Sequence, residues 1–195
     1  MNKKEIIWRE ILYQGLEKNN QEFTQKELAG KFDISLSTVF NALKTPRQIK
    51  AIKVTGRNFI LINPEKLLYL WGTYRRLDKD IIYKTKVRKS IFEIEGEMPS
   101  SVIFGAYSAY RQGFKDVPSD YDRVYVYSSD FKKIKKRFPP KNGESNLFVL
   151  KADPFLKKYG AIAPLAQIFV DIWNLPEWYA QEFLKSIKEK LNLSI

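Results

Sequence analysis

The sequence contains no cysteine and no histidine. Without cysteine, disulfides and thiolate metal centres are excluded; without histidine, the chain lacks the commonest transition-metal ligand and the usual general base near neutral pH. Ser-His and Cys-His nucleophilic chemistry are therefore ruled out, and any metal has to be a hard cation held by carboxylates, Mg²⁺ being the natural case. No apolar run approaches the roughly 20 residues needed to span a bilayer. The opening stretch MNKKEIIWREILYQGLEK scatters charges among its apolar positions, which reads as an amphipathic helix and not a leader peptide. A cytoplasmic location with no membrane contact is the resulting expectation. Acidic side chains are also in deficit, 22 against 34 Lys and Arg, for a formal charge of +12. Such an excess favours a polyanionic partner, nucleic acid before membrane, because cations that displace condensed counterions from phosphates gain binding free energy. The alternative is a solvated, lysine-rich surface, so the placement of the charges has to decide. Residues 1–78 hold 14 basic and 8 acidic side chains and residues 79–195 hold 20 and 14, so each part carries +6 and the shorter part is the denser.

At 195 residues, one or two modest cores are expected, and two small domains fit best. In the first, Ile6, Ile7, Ile11, Leu12 and Leu16 recur at helical spacing and predict a helix over 4–18 with one buried stripe. Thr24 followed by Glu27 is a capping box that opens a second helix, with Leu28 and Phe32 toward the core. FDIS supplies a turn. Ser35 or Ser37 then caps a third helix whose inner face is Leu36, Val39, Phe40 and Leu43. A two-strand ribbon follows, KAIKVTGRNFILI, with Thr55-Gly56-Arg57-Asn58 at its tip. This order predicts a winged helix-turn-helix at 1–78, closed by a helix from Pro64 that packs on the first one.

Removing the inner face of the third helix leaves Ser37, Thr38, Asn41 and Lys44 outward beside the capping Ser35, with Arg47 and Lys50 just beyond a break at Pro46. These groups suit a DNA groove. Asn can pair with adenine, Ser and Thr reach phosphates or bases, and Arg and Lys meet guanine or phosphate. Arg57 at the ribbon tip is placed to follow a backbone or enter a minor groove. The bland reading of the same residues is a polar helix face that meets only water.

LDKD reads as a short linker, and the segment beyond it alternates: strand KDIIYKTKV, helix RKSIFEIEGEMP, strand SSVIFG, helix AYSAYRQGF, strand DRVYVYSS, basic helix DFKKIKKRF, strand SNLFVLKA, then helices in PLAQIFVDIWNL and PEWYAQEFLKSIKEKLN. That is a small mixed α/β domain at 79–195 with C-terminal helices. The KKIKKRFPPK run is read as a solvated face before a phosphate-binding patch. Pro164 to Trp173 reads as a buried helix in which Asp171 orients or pairs with a Lys or Arg.

Asp120 and Asp122, one residue apart before a strand, could share a divalent ion, with Asp153 as the candidate third acid and Ser108 or Ser119 near phosphate. FGA, thirteen residues and DYD resemble the nucleotidyltransferase pattern, which implies Mg²⁺ and a nucleoside triphosphate. The chain departs from it where Ala106 and bulky Tyr107 stand for small residues and Arg123 stands for an apolar one. Taken with the N-terminal half, FGAYSAYRQG, VYVYSS and APLAQIFVDIWNLPEWYAQEFL make the chain, from about 5 to 190, similar to the AbiEi-type antitoxin family. The resemblance implies a repressor of a type IV toxin-antitoxin system, an α+β fold with a degenerate nucleotidyltransferase-like second domain, no cofactor, double-stranded DNA as ligand, a homodimer and a toxin partner. The alternative reading is an active Mg²⁺-dependent nucleotidyltransferase.

Overall fold

The structure, a computed structural model, describes residues 1–193. Helix α1 (Lys3–Glu17) starts under a capping box, in which the Asn2 side chain accepts from the backbone N–H of Lys4 and Glu5 and the Glu5 carboxylate accepts from that of Asn2. The expected stripe is buried, yet burial runs without interruption from Glu5 to Leu12 and takes the charged side chains with it. The cause is enclosure: α1 packs against α3 and α4 of its own half and against α8 near the other end of the chain.

Thr24 ends strand β1 (Glu22–Thr24) and caps α2 (Gln25–Phe32), its Oγ1 accepting from Glu27 N at 3.1 Å while Glu27 accepts from Thr24 N at 3.0 Å. Asp33, left-handed at φ 49°, turns the chain into α3 (Leu36–Gln48). Strands β2 (Ile52–Thr55) and β3 (Asn58–Leu61) form the hairpin, and the antiparallel sheet order is β1-β3-β2. The third strand was not expected, because three residues are too few to show alternation. Helix α4 (Pro64–Tyr74) follows, Asn63 accepting from Lys66 N, and packs on α1 as anticipated.

LDKD is not a loose tether. It forms a 3-10 turn (Leu77–Asp80) with Leu77 buried, and Asp80 accepts from Arg75 at 2.6 Å and from the Met1 amino group at 3.0 Å. An apolar side chain beside an acid that faces a buried guanidinium gives this segment two anchors, which a linker lacks.

The second half contains each expected element in order: β4 (Ile81–Thr85), α5 (Ile91–Gly96), β5 (Ile103–Gly105), α6 (Ala106–Phe114), β6 (Val124–Ser128), α7 (Lys132–Arg137), β7 (Leu147–Lys151), α8 (Leu165–Trp173) and α9 (Ala180–Lys190). The sheet order is β4-β7-β6-β5, with β6 and β7 parallel and the other pairs antiparallel. Alternation along the two central strands sorts the side chains to two faces. Tyr125, Tyr127, Phe148 and Leu150 enter the large core with α6, α8 and the N-terminal half. Val124, Val126, Leu147 and Val149 enter a smaller one with Ile94 of α5, and with Ile134 and Phe138 in and after α7. The large core is one continuous cluster running from Ile6 to Leu191. The fold is α+β, and among the described residues no helix is long and apolar enough to cross a membrane.

Two buried ionic knots cross this core. Arg9 forks onto Asp153 at 2.6 and 2.8 Å and donates to Gln167 at 3.1 Å. Arg75 donates to Asp171 at 3.0 Å, to Tyr127 at 3.1 Å and to Asp80, while the Tyr127 hydroxyl donates to Asp171 at 2.5 Å. Asp171 thus orients and pairs, as its place on a buried helix suggested.

Candidate nucleic-acid interface

Helix α3 runs through Pro46 to Gln48, where the sequence suggested a break. Proline in a helix interior leaves the carbonyl four residues back without its donor. That carbonyl belongs to Ala42, and the buried Trp8 indole N–H of α1 donates to it at 2.8 Å. Trp8 therefore supplies the hydrogen bond that Pro46 cannot, and at the same time fixes the height and rotation of α3 against α1. The far end closes by a Schellman motif: Ala51 N donates to Pro46 O at 2.9 Å and Lys50 N to Arg47 O at 3.0 Å. Lys50 holds the left-handed position of that motif at φ 57°, where glycine is usual.

The buried side chains of α3 are Val39, Ala42, Leu43 and Pro46, an i, i+3, i+4, i+7 stripe. Leu36 and Phe40 do not belong to it. They are 55% and 43% exposed, and the inner-face assignment is corrected for both. The physical reason is that Ala42 and Pro46 complete the buried stripe, with Ala42 tied to α1 through Trp8, which turns Phe40 out. The outward face carries Leu36, Ser37, Phe40, Asn41 and Lys44, with Arg47 and Lys50 exposed at its end. Thr38 is half-buried. Ser35 is spent on capping, its Oγ accepting from Thr38 N at 3.2 Å and lying 2.9 Å from the hydroxyls of Ser37 and Thr38. The Lys44 ammonium lies 5.4 Å from the centre of the Phe40 ring. Spacing could have revealed Phe40, since it falls on the same side as Ser37, Asn41 and Lys44 once proline is allowed in the helix.

The hairpin turns at Gly56 and Arg57, with Gly56 at φ 66°, a conformation that strains any side chain. Arg57 stands exposed at the tip, and Asn58 beside it donates to Glu22 of β1 at 2.6 Å. Between Asp33 and Glu65 there is no acidic residue, and Lys44, Arg47, Lys50, Lys53 and Arg57 all lie in that interval. Helix face and hairpin are thus an uninterrupted cationic segment.

The candidate carboxylates are placed otherwise. Asp120 and Asp122 precede β6 on an irregular segment; Asp120 is exposed, and Asp122 accepts from the Tyr179 hydroxyl at 2.6 Å. Asp153 is held by Arg9 in the core. Arg123 reaches Glu177 and Glu144 at 2.7 Å each and Asp122 at 3.9 Å. Tyr107, fully buried, fills the space after Gly105 and donates to Glu177 at 3.0 Å, while Ser108 is buried with its Oγ accepting from Tyr125 N at 3.3 Å. Ser119 donates locally to the Asp120 carbonyl. Among the described residues no three carboxylates come together in a group able to hold a metal ion.

Burial pushes the Asp153 carboxyl up, but the Arg9 hydrogen bonds and charge, with the Phe155 N–H, outweigh it and hold the group below the usual range. Burial also pushes the Asp171 carboxyl up, and Arg75 and Tyr127 offset this only in part. Both groups are spent on joining the two halves.

No family model, no curated protein and no solved structure matches this chain.

Proposed function

We propose that the chain is a cytoplasmic, sequence-specific DNA-binding regulator whose first 78 residues act as a winged helix-turn-helix. The observation that supports this most is α3 itself. It is an acid-free helix, pinned by Trp8 and a Schellman cap, whose polar and cationic side is uncovered while β2 and β3 extend a basic tip beside it. Asn41 is suited to paired hydrogen bonds with adenine, and Ser37, Thr38 and Lys44 to neighbouring edges or phosphates. The exposed Phe40 and Leu36 add apolar groups suited to thymine methyls, which favours sites rich in A·T steps. Arg47, Lys50 and Arg57 serve the backbone. One such module seldom supplies enough affinity alone, so two copies on repeated half-sites are expected.

In this reading the second half is a protein-contact domain, degenerate with respect to nucleotidyl transfer, that mediates pairing of copies or binding of a toxin, and the chain is an antitoxin-type repressor. The dispersed Asp120, Asp122 and Asp153 lend no support to Mg²⁺ and nucleoside triphosphate chemistry. The deciding experiment is selection of bound duplexes from a random pool, followed by competition against unselected duplex. Enrichment of a short motif, bound at least a hundredfold more tightly than random duplex, is the expected result; recovery of no motif removes the proposal.

A further inference from the structure

A second cationic feature lies on the sheet face that carries α5 and α7, opposite the face that meets the N-terminal half. Here the segment 86–89 after β4 and the segment 137–141 at the end of α7 come together around a cleft of about 100 Å³. Its lining includes Lys86, Arg88, Lys89, Arg137 and Lys141, and neither segment contains an acid. A water occupies about 30 Å³, so the space takes one group the size of a phosphate.

The walls are fixed by bonds that do not involve the charges. Asn146 grips Val87 from both sides, accepting from its N–H at 2.8 Å and donating to its carbonyl at 3.0 Å. Thr85 Oγ1 donates to Pro139 O at 3.1 Å and accepts from Lys141 N at 3.0 Å, and the Tyr83 hydroxyl donates to Phe138 O at 2.6 Å. Arg137 and Lys89 are steadied by Glu97, through its carbonyl oxygen and its carboxylate respectively. Lys86, Arg88 and Lys141 form no ion pair among the described residues. Three unneutralised cations on rigid walls are an arrangement that like-charge repulsion disfavours and a bound polyanion relieves. A merely solvated helix face would place its lysines along one element; here two chain segments are tied together so that cationic residues of both border the same cleft.

We propose that this cleft is a phosphate-binding site, separate from α3, that takes a phosphate group of an extended polyanion. The source is either the backbone of a nucleic acid or a free oligophosphate, and the chemistry of recognition is shared. The test uses the full chain and inorganic tripolyphosphate, followed by calorimetry, with three double variants: Arg88→Ala with Lys141→Ala in the cleft, Lys132→Ala with Lys133→Ala on the exposed side of α7, and Asn41→Ala with Lys44→Ala on α3. The expected result is at least a tenfold loss of tripolyphosphate affinity for the cleft variant and less than a twofold change for the other two. A second arm measures binding of unselected duplex by the same variants against salt. Loss by the cleft variant there as well assigns the phosphate to nucleic acid; loss confined to tripolyphosphate assigns it to a free oligophosphate. Undetectable tripolyphosphate binding by the parent protein, or equal loss in the cleft and α7 variants, overturns the proposal. The mutated side chains reach solvent, so thermal midpoints within two degrees of the parent confirm that folding is not what changed.

Discussion

Lys50 shows two demands on one residue. At φ 57° it occupies a position where glycine relieves backbone strain, yet a lysine stands there at the end of α3. Lys50→Gly is expected to raise folding stability by about 1 kcal/mol while lowering affinity for every duplex and flattening the salt dependence by about one counterion; denaturant melts and binding at several salt concentrations check the two halves of this statement. Asn41→Ala is expected to cost about 1–3 kcal/mol on a selected site and little on random duplex, and equal loss on both contradicts its role in reading bases. Asp153 yields a prediction in pH. Its carboxyl titrates below the value near 3.9 of an unfolded chain, so the stability it contributes is complete above that value and vanishes as pH falls through the lower, folded one. Asp153→Asn leaves Arg9 buried and unpaired, a loss of about 3–5 kcal/mol at neutral pH. In urea melts, the gap between parent and variant should stay constant from pH 7 to 5 and begin to narrow below about pH 4; a gap unchanged into strong acid contradicts the assignment.

At the scale of elements, the link between α1 and α3 depends on one indole. Trp8→Phe leaves the Ala42 carbonyl buried without a donor, an expected cost of about 1–3 kcal/mol. Pro46→Ala restores a backbone N–H at the position that can reach the same carbonyl, so the double variant should be less damaged than the single one. A double-mutant cycle by chemical denaturation measures this coupling, and strict additivity rules it out. The same pair explains what could be read in advance. The helices with periodic apolar stripes, the Thr24 capping box and the apolar strands β6 and β7 were legible because local pattern and tertiary burial agree there. The rotation of α3 was not, because proline is ordinarily a helix stop and its compensating donor lies 34 residues away in α1. The burial of Arg9 and Glu10 was likewise hidden: a charged side chain on a helix reads as solvent-facing until the partner that encloses it, here Asp153 or Tyr159, is known. The grouping of the candidate acids failed for the same reason. Asp120 and Asp122 have suitable spacing, but the strand begins only at Val124, and Asp153 is consumed by an arginine that spacing cannot locate.

At the scale of the molecule, the continuous core from Ile6 to Leu191 and the two ionic knots couple the proposed DNA-binding half to the rest. Unfolding is expected to be one transition. With Trp8 and Trp71 reporting from one half and Trp173 and Trp178 from the other, single-tryptophan variants should melt at the same denaturant concentration; midpoints separated by more than experimental error would show that the halves unfold independently. Enclosure of α1 also sets a timetable for synthesis. Arg9 finds its carboxylate 144 positions later and its amide partner 158 positions later, so α1 cannot complete its packing until α8 has been translated. Until α8 emerges, a buried-to-be guanidinium and an apolar helix stand open to proteases and chaperones. Nascent chains stalled before that point should be cut within α1, and those stalled beyond it spared, which ties the protection of α1 to the synthesis of α8.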